Sequence, residues 1–193
     1  MIAGHFGLAA LAKARERQVP LWALMLATVW LDIVFVPLFV AGIETIETVP
    51  GSHGGYGGGI IHADYTHSLL GALALSAAFG FVASIPWGRR CGVVLGLVAF
   101  SHWLLDLIVH RADMPLLPAN LGGLPKLGFG LWQWPVASVL SELALVIVGS
   151  FLYWRAARAT VDAGGGAGKA RAIVTALLVL VAGCAILFLD ATG

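Results

Sequence analysis

The stretch from Cys91 to His110 reads CGVVLGLVAFSHWLLDLIVH, and it decides the fold. An apolar run of about 20 residues is what one bilayer crossing requires. At about 100° per residue, His102, Asp106 and His110 fall within an arc of about 80°, with Gly92, Gly96 and Ala99 on nearly the same side. The opposite side carries Val93, Val94, Leu97, Phe100, Leu104, Leu107 and Ile108. Small and polar residues on one face and bulky apolar ones on the other are the pattern of a helix that packs its small face inward and turns the other to lipid.

Four further stretches are long and apolar enough to do the same: Pro20 to Ile43, Thr66 to Ile85, Leu131 to Arg155, and Ala172 to Asp190. The chain as a whole agrees, since 11% of its 193 residues are charged against about 25% in soluble domains. Mean hydropathy is +0.93. The expectation is an all-α polytopic bundle, one domain over residues 1–193, with five transmembrane helices and a short N-terminal half-helix, Ile2 to Ala12. Basic residues fall in alternate loops: Lys13, Arg15 and Arg17, then Arg89 and Arg90, then Arg155, Arg158, Lys169 and Arg171. By the positive-inside rule this places the N-terminus in the cytoplasm and the C-terminus outside, in a cytoplasmic membrane. Pro37 is expected to kink the first span just beyond Asp32.

Other features read simply. Cys91 and Cys184 lie in separate apolar runs and form neither a disulfide framework nor a zinc motif. The glycine-rich run Gly51 to Gly59, with His53 inside it, reads as a flexible outer loop. Gly164 to Lys169 lacks the glycine spacing and the Ser/Thr of a phosphate loop and reads as a linker. A net charge of +1 gives no reason to expect nucleic acid.

The ionisable residues within the spans carry the functional signal. Each costs about 2.5–3.5 kcal/mol at the bilayer centre and usually faces the bundle interior. Asp32 lies midway along the first span and Glu142 midway along the fourth. His102 and Asp106 are one turn apart, so an imidazole nitrogen and a carboxylate oxygen can share a divalent cation. At about 1.5 Å per residue, Asp32 and His102 both lie about 18 Å from the cytoplasmic ends of their helices, and Asp106 about 24 Å. His67, at the outer start of the second span, reaches the same level. Two buried anions repel each other; a 2+ ion cancels them, and His67 with His102 completes four ligands. Protonated carboxylates in a proton relay are the alternative.

Three segments also carry a resemblance: Gly4-His5-Phe6-Gly7-Leu8-Ala9, Tyr65-Thr66-His67-Ser68-Leu69-Leu70-Gly71, and Ser101-His102-Trp103-Leu104-Leu105-Asp106. They resemble the bacterial membrane-bound metal-dependent hydrolases, also labelled LexA-binding inner-membrane hydrolases, over most of the chain up to about Glu142. That family is in turn distantly similar to zinc-dependent phospholipases C and single-strand nucleases. The resemblance implies that Asp32, His67, His102 and Asp106 hold one zinc, or else manganese, that His5 serves another, and that His110 matches a later cluster ligand. Only Leu31-Asp32 remains of a region that in the wider family carries a proline and two acidic residues. There is also no second HxxxD, which argues against a full three-metal cluster.

Three functions follow as expectations. The first is a metal-dependent hydrolase near the outer leaflet acting on a lipid or lipid-linked phosphoester, with membrane lipid as its surroundings and a homodimer as its assembly. There Glu142 or Asp64 is the general base, and His110 protonates the leaving group. The second is a proton or cation pathway, which the apolar stretch Gly92 to Ala99 disfavours. The third is a scaffold with a closed structural metal site.

Overall fold

The computed structural model describes residues 1–49, 55–56, 58–161 and 166–192; His53, most of the first glycine-rich stretch and the start of the second lie outside the described residues. The elements are α1 (Ile2–Arg15), α2 (Leu21–Thr28), α3 (Trp30–Val40), β1 (Thr45–Thr48), β2 (Gly59–His62), α4 (Leu69–Val109), α5 (Pro135–Val161) and α6 (Gly166–Thr192). Three helices are long and apolar enough to cross a membrane, and α2 with α3 make a fourth if the bent pair is one span. Apolar side chains stay exposed along their outer faces, among them Leu97, Leu140, Val181 and Phe188. A surface of that kind is stable in lipid and costly in water.

The fold departs from the expected one in two places. The first span bends by 48°, and the bend lies at Val29 rather than at Pro37, which α3 accommodates within its length. The bend leaves the last carbonyls of α2 without their usual helical donors. It also puts Asp32 in the first turn of a new helix, where the helix dipole favours an anion.

The second departure is a β-hairpin in the outer loop. β1 and β2 pair antiparallel, Thr45 opposite His62 and Ile46 opposite Ile61. Thr45, Ile46, Thr48, Ile60 and Ile61 are β-branched and suit a strand; the neighbouring glycines hid this pattern. The fold is mostly helical, with this one two-stranded hairpin beside the helices.

α4, by contrast, runs through 41 residues as two helices joined at a kink, where two spans were expected. A straight helix of that length would run about 60 Å, twice the apolar thickness of a bilayer. It does not run straight. Gly88 has φ 80° and ψ 163°, outside the helical region, and divides α4 into arms 69–87 and 89–109. The arms fold back on each other so closely that a Cβ on Gly80 would lie 2.6 Å from the Gly92 carbonyl oxygen and 3.0 Å from the Gly96 Cα. These glycines allow the antiparallel contact.

The N-terminal half-helix α1 enters the bundle. Ala3, Gly4, His5, Gly7, Ala9 and Ala10 are buried, and its main partner is α5. Lys13 donates to the carbonyls of Arg17 and Val19 and ties down its far end. α5 starts at Pro135, in the first-turn position that proline suits, after a 3-10 turn at Leu131–Gln133.

Candidate metal centre

His102 and Asp106 stand one turn apart on the second arm of α4, and three other elements bring groups to them. His67 comes from the turn before α4, Asp32 from the first turn of α3, and His5 from α1. The Nε2 atoms of His67 and His102 lie 3.2 Å apart. Asp106 Oδ2 is 2.9 Å from His102 Nε2 and 3.5 Å from His67 Nε2. Asp32 Oδ1 is 3.5 Å from His102 Nε2 and 3.6 Å from His67 Nε2. The other oxygen of Asp106, Oδ1, is 3.2 Å from His5 Nε2, and the His5 ring stacks on His102 with centroids 4.0 Å apart. His110, the last residue in line, has Nε2 3.8 Å from Asp106 Oδ2. All of these except Asp32 are buried; Asp32 is half-buried.

His102, His67 and His110 each have a partner on the outer ring nitrogen. His102 Nδ1 lies 2.7 Å from the Thr28 carbonyl freed by the bend in the first span. A carbonyl can only accept, so Nδ1 carries a proton and Nε2 is the nitrogen that faces the cluster. Thr66 Oγ1 donates to Glu44 and accepts from His67 Nδ1 at 2.9 Å, with the same result for His67. His110 Nδ1 faces Asp113 Oδ1 at 3.0 Å. Two inward ring nitrogens 3.2 Å apart, beside two carboxylates, call for positive charge among them, supplied by a metal ion or by a proton on one ring. Partners of this kind on the outer nitrogen are the usual supports of metal-binding histidines. The groups His5, His102, Asp106 and Asp32, His67, His102 can each hold a metal ion.

Glu44 is the support that spacing could not reveal. It is fully buried and accepts from the Tyr65 and Thr66 backbone N–H groups at 2.9 and 2.8 Å, as well as from Thr66 Oγ1. Its contacts are 21 and 22 residues away in sequence, so no local pattern marks it. Thr28 was equally hidden, and Asp113 meets His110 beyond the end of α4, where helical spacing does not apply. Glu44→Ala is expected to weaken ion binding about 10–100-fold, the usual cost of losing such a support. Titration with a competing chelator checks this, and an unchanged affinity would show that Glu44 only shapes the loop.

Two expected site residues stand apart. Glu142 is fully buried, but its oxygens accept from the Tyr56 hydroxyl at 2.7 Å and the Gly4 N–H at 3.1 Å. It anchors the start of α1. Burial and this carboxylate push the Tyr56 phenol above its ordinary range and keep it a donor. Asp64 pairs with Lys126 at 2.8 Å and accepts from the Ala119 N–H through its carbonyl. His62 faces Glu47 on the hairpin. None of these three lines the cavity over the cluster. That cavity, about 270 Å³, has His5, Asp32, His67, Asp106 and His110 at its polar end.

Comparison with protein-family models, with curated proteins and with solved structures finds no match.

Proposed function

We propose that the chain is a membrane-embedded metal-dependent hydrolase holding one divalent ion, zinc, between Asp32, His67, His102 and Asp106. The observation that carries this reading is the spacing of the four donor atoms. A tetrahedral ion with ligands at about 2.0–2.1 Å needs ligand-to-ligand edges of about 3.3–3.4 Å. Five of the six edges here run from 2.9 to 3.6 Å. Two imidazoles with two carboxylates suit zinc better than manganese, which prefers more oxygen donors. The 2+ charge offsets both anions, which explains how they are tolerated.

An ion of this kind lowers the pKa of water and polarises a phosphoryl oxygen. The protein's own contribution is orientation and proton movement. Asp32, the half-buried member, marks the side open to the cavity. His110, with Nδ1 tied to Asp113, presents Nε2 to the cavity, where it can take a proton from the attacking water and return it to the leaving group. His5 steadies Asp106 through its second oxygen. The same four ligands, in the same chain order, support membership of the membrane-bound hydrolase family named above. A phosphoester of a lipid is the corresponding substrate. The folded-back arms of α4 support five crossings, with the N-terminus cytoplasmic, the C-terminus outside and the cluster in the outer half.

A second reading, a structural clip, is favoured by the count of four protein donors, which fills a tetrahedral shell. The cavity against Asp32 favours the enzyme. Purified protein given a phosphodiester should turn it over, lose at least ten-fold of that rate on chelation and regain it with zinc. His110→Ala should lower turnover about 100-fold with ion content unchanged. Equal rates before and after chelation would end the proposal; full ion content without turnover would select the clip.

A further inference from the structure

The cavity over the cluster changes character along its length. Its floor is the histidine and aspartate cluster, and its mouth is apolar. Phe35 and Val36 of α3 follow Asp32 by one turn on the same helix, and Ile46 of β1 and Ile2 of α1 also line the cavity. Ile2, Val36 and Ile46 are 40%, 55% and 48% exposed, so the mouth opens through a ring of uncovered aliphatic side chains. No lysine or arginine side chain lines it among the described residues, although Met1 does, with its ammonium group near His5. A site that draws a charged, water-soluble ester from solution is normally ringed by such cations.

The surroundings of that mouth are fixed by the helix that forms it. Val36 belongs to the bent pair that makes one candidate span, and Phe39 and Val40, next along α3, are 44% and 79% exposed. In a bilayer, what covers such side chains is hydrocarbon. The volume of about 270 Å³ lies at the low end for ligand sites, which run from about 300 to 1,000 Å³. It holds a head group and the start of one chain, and the rest must lie outside, along Val36, Phe39 and Val40.

We infer that the substrate is a membrane lipid that enters sideways from the bilayer, between α1, α3 and the β-hairpin, with one hydrocarbon chain in the apolar mouth. This deepens the hydrolase reading and rests on it for the chemistry at the floor, but the slot itself is tested by occupancy. Ile61 and Trp132 line the cavity on its inner side and are only partly exposed. The protein is placed in nanodiscs containing a trace of phospholipid with a photoreactive group near the head end of one chain. After irradiation, adducts are mapped by mass spectrometry.

Adducts on Ile61 and Trp132 are expected, alongside those on lipid-facing residues such as Val181. Val36→Trp, and independently Ile46→Trp on β1, should cut the interior adducts at least ten-fold. Adducts on Val181 and the ion content should not change. Absence of interior adducts in the unmodified protein, or their persistence in both variants, would overturn the slot. Turnover of the same lipid, followed in parallel, reports on the enzyme alone: interior adducts without turnover would keep the slot and remove the hydrolase.

Discussion

Asp106→Ala is expected to abolish binding of the proposed ion by the purified protein. Asp106 is the hub of the cluster: Oδ1 meets His5, and Oδ2 meets His102, His67 and, at 3.8 Å, His110. Four imidazoles from α1, the turn before α4, and α4 itself are thus organised around one carboxylate. Alanine removes one ligand and half of the negative charge that attracts the ion. Breaking a buried charge pair from one side costs about 3–5 kcal/mol. In ion affinity that is a loss of about 10²–10⁴-fold. Asp106→Asn keeps the shape, so it should fold and still lose the ion. Metal analysis of both variants beside the unmodified protein checks this, and ion content equal in all three would contradict it.

Gly149→Ala is expected to disturb the same site from a distance. A Cβ at Gly149 would run into the carbonyl group of Gly7, and one at Gly7 would come within 2.5 Å of the Leu145 carbonyl carbon. Backbone meets backbone here, so no side chain can give way and α1 must move off α5. His5 lies two residues from Gly7 and travels with it, away from Asp106. Overpacking of this kind costs about 1–3 kcal/mol, and more where backbone must shift. The thermal midpoint in detergent should fall by several degrees, with a measurable loss of ion affinity. Gly42→Ala, where nothing lies within 4 Å, controls for glycine replacement at a strained turn outside this contact. A change in stability at Gly149 with ion affinity untouched would mean that His5 plays no part in the cluster.

The comparison of sequence with structure is instructive at particular residues. The arc of His102, Asp106 and His110 was legible because helical periodicity is strong, and the levels of Asp32 and His67 followed from the rise per residue. The entry of α1 was left open between interface and bundle, and His5 is now seen inside, in contact with Asp106. Glu142 misled because depth alone cannot say which way a side chain turns; it turns to Tyr56 and the start of α1. The bend at Val29 could not be read, since nothing in Thr28-Val29-Trp30 marks a break. What the bend frees is used far away in sequence: the Thr28 carbonyl is held by His102, 74 residues on. Glu44 escaped for the same reason, being placed by the folded turn and not by any repeat.

X-ray absorption at the zinc edge, on protein purified with stoichiometric zinc, tests the central claim most directly. The account predicts four or five nitrogen and oxygen neighbours at about 2.0–2.1 Å, with the scattering of two imidazoles that falls to one in His102→Ala. A protein that retains no stoichiometric ion, or a shell with sulfur at about 2.3 Å or without imidazole, would contradict it.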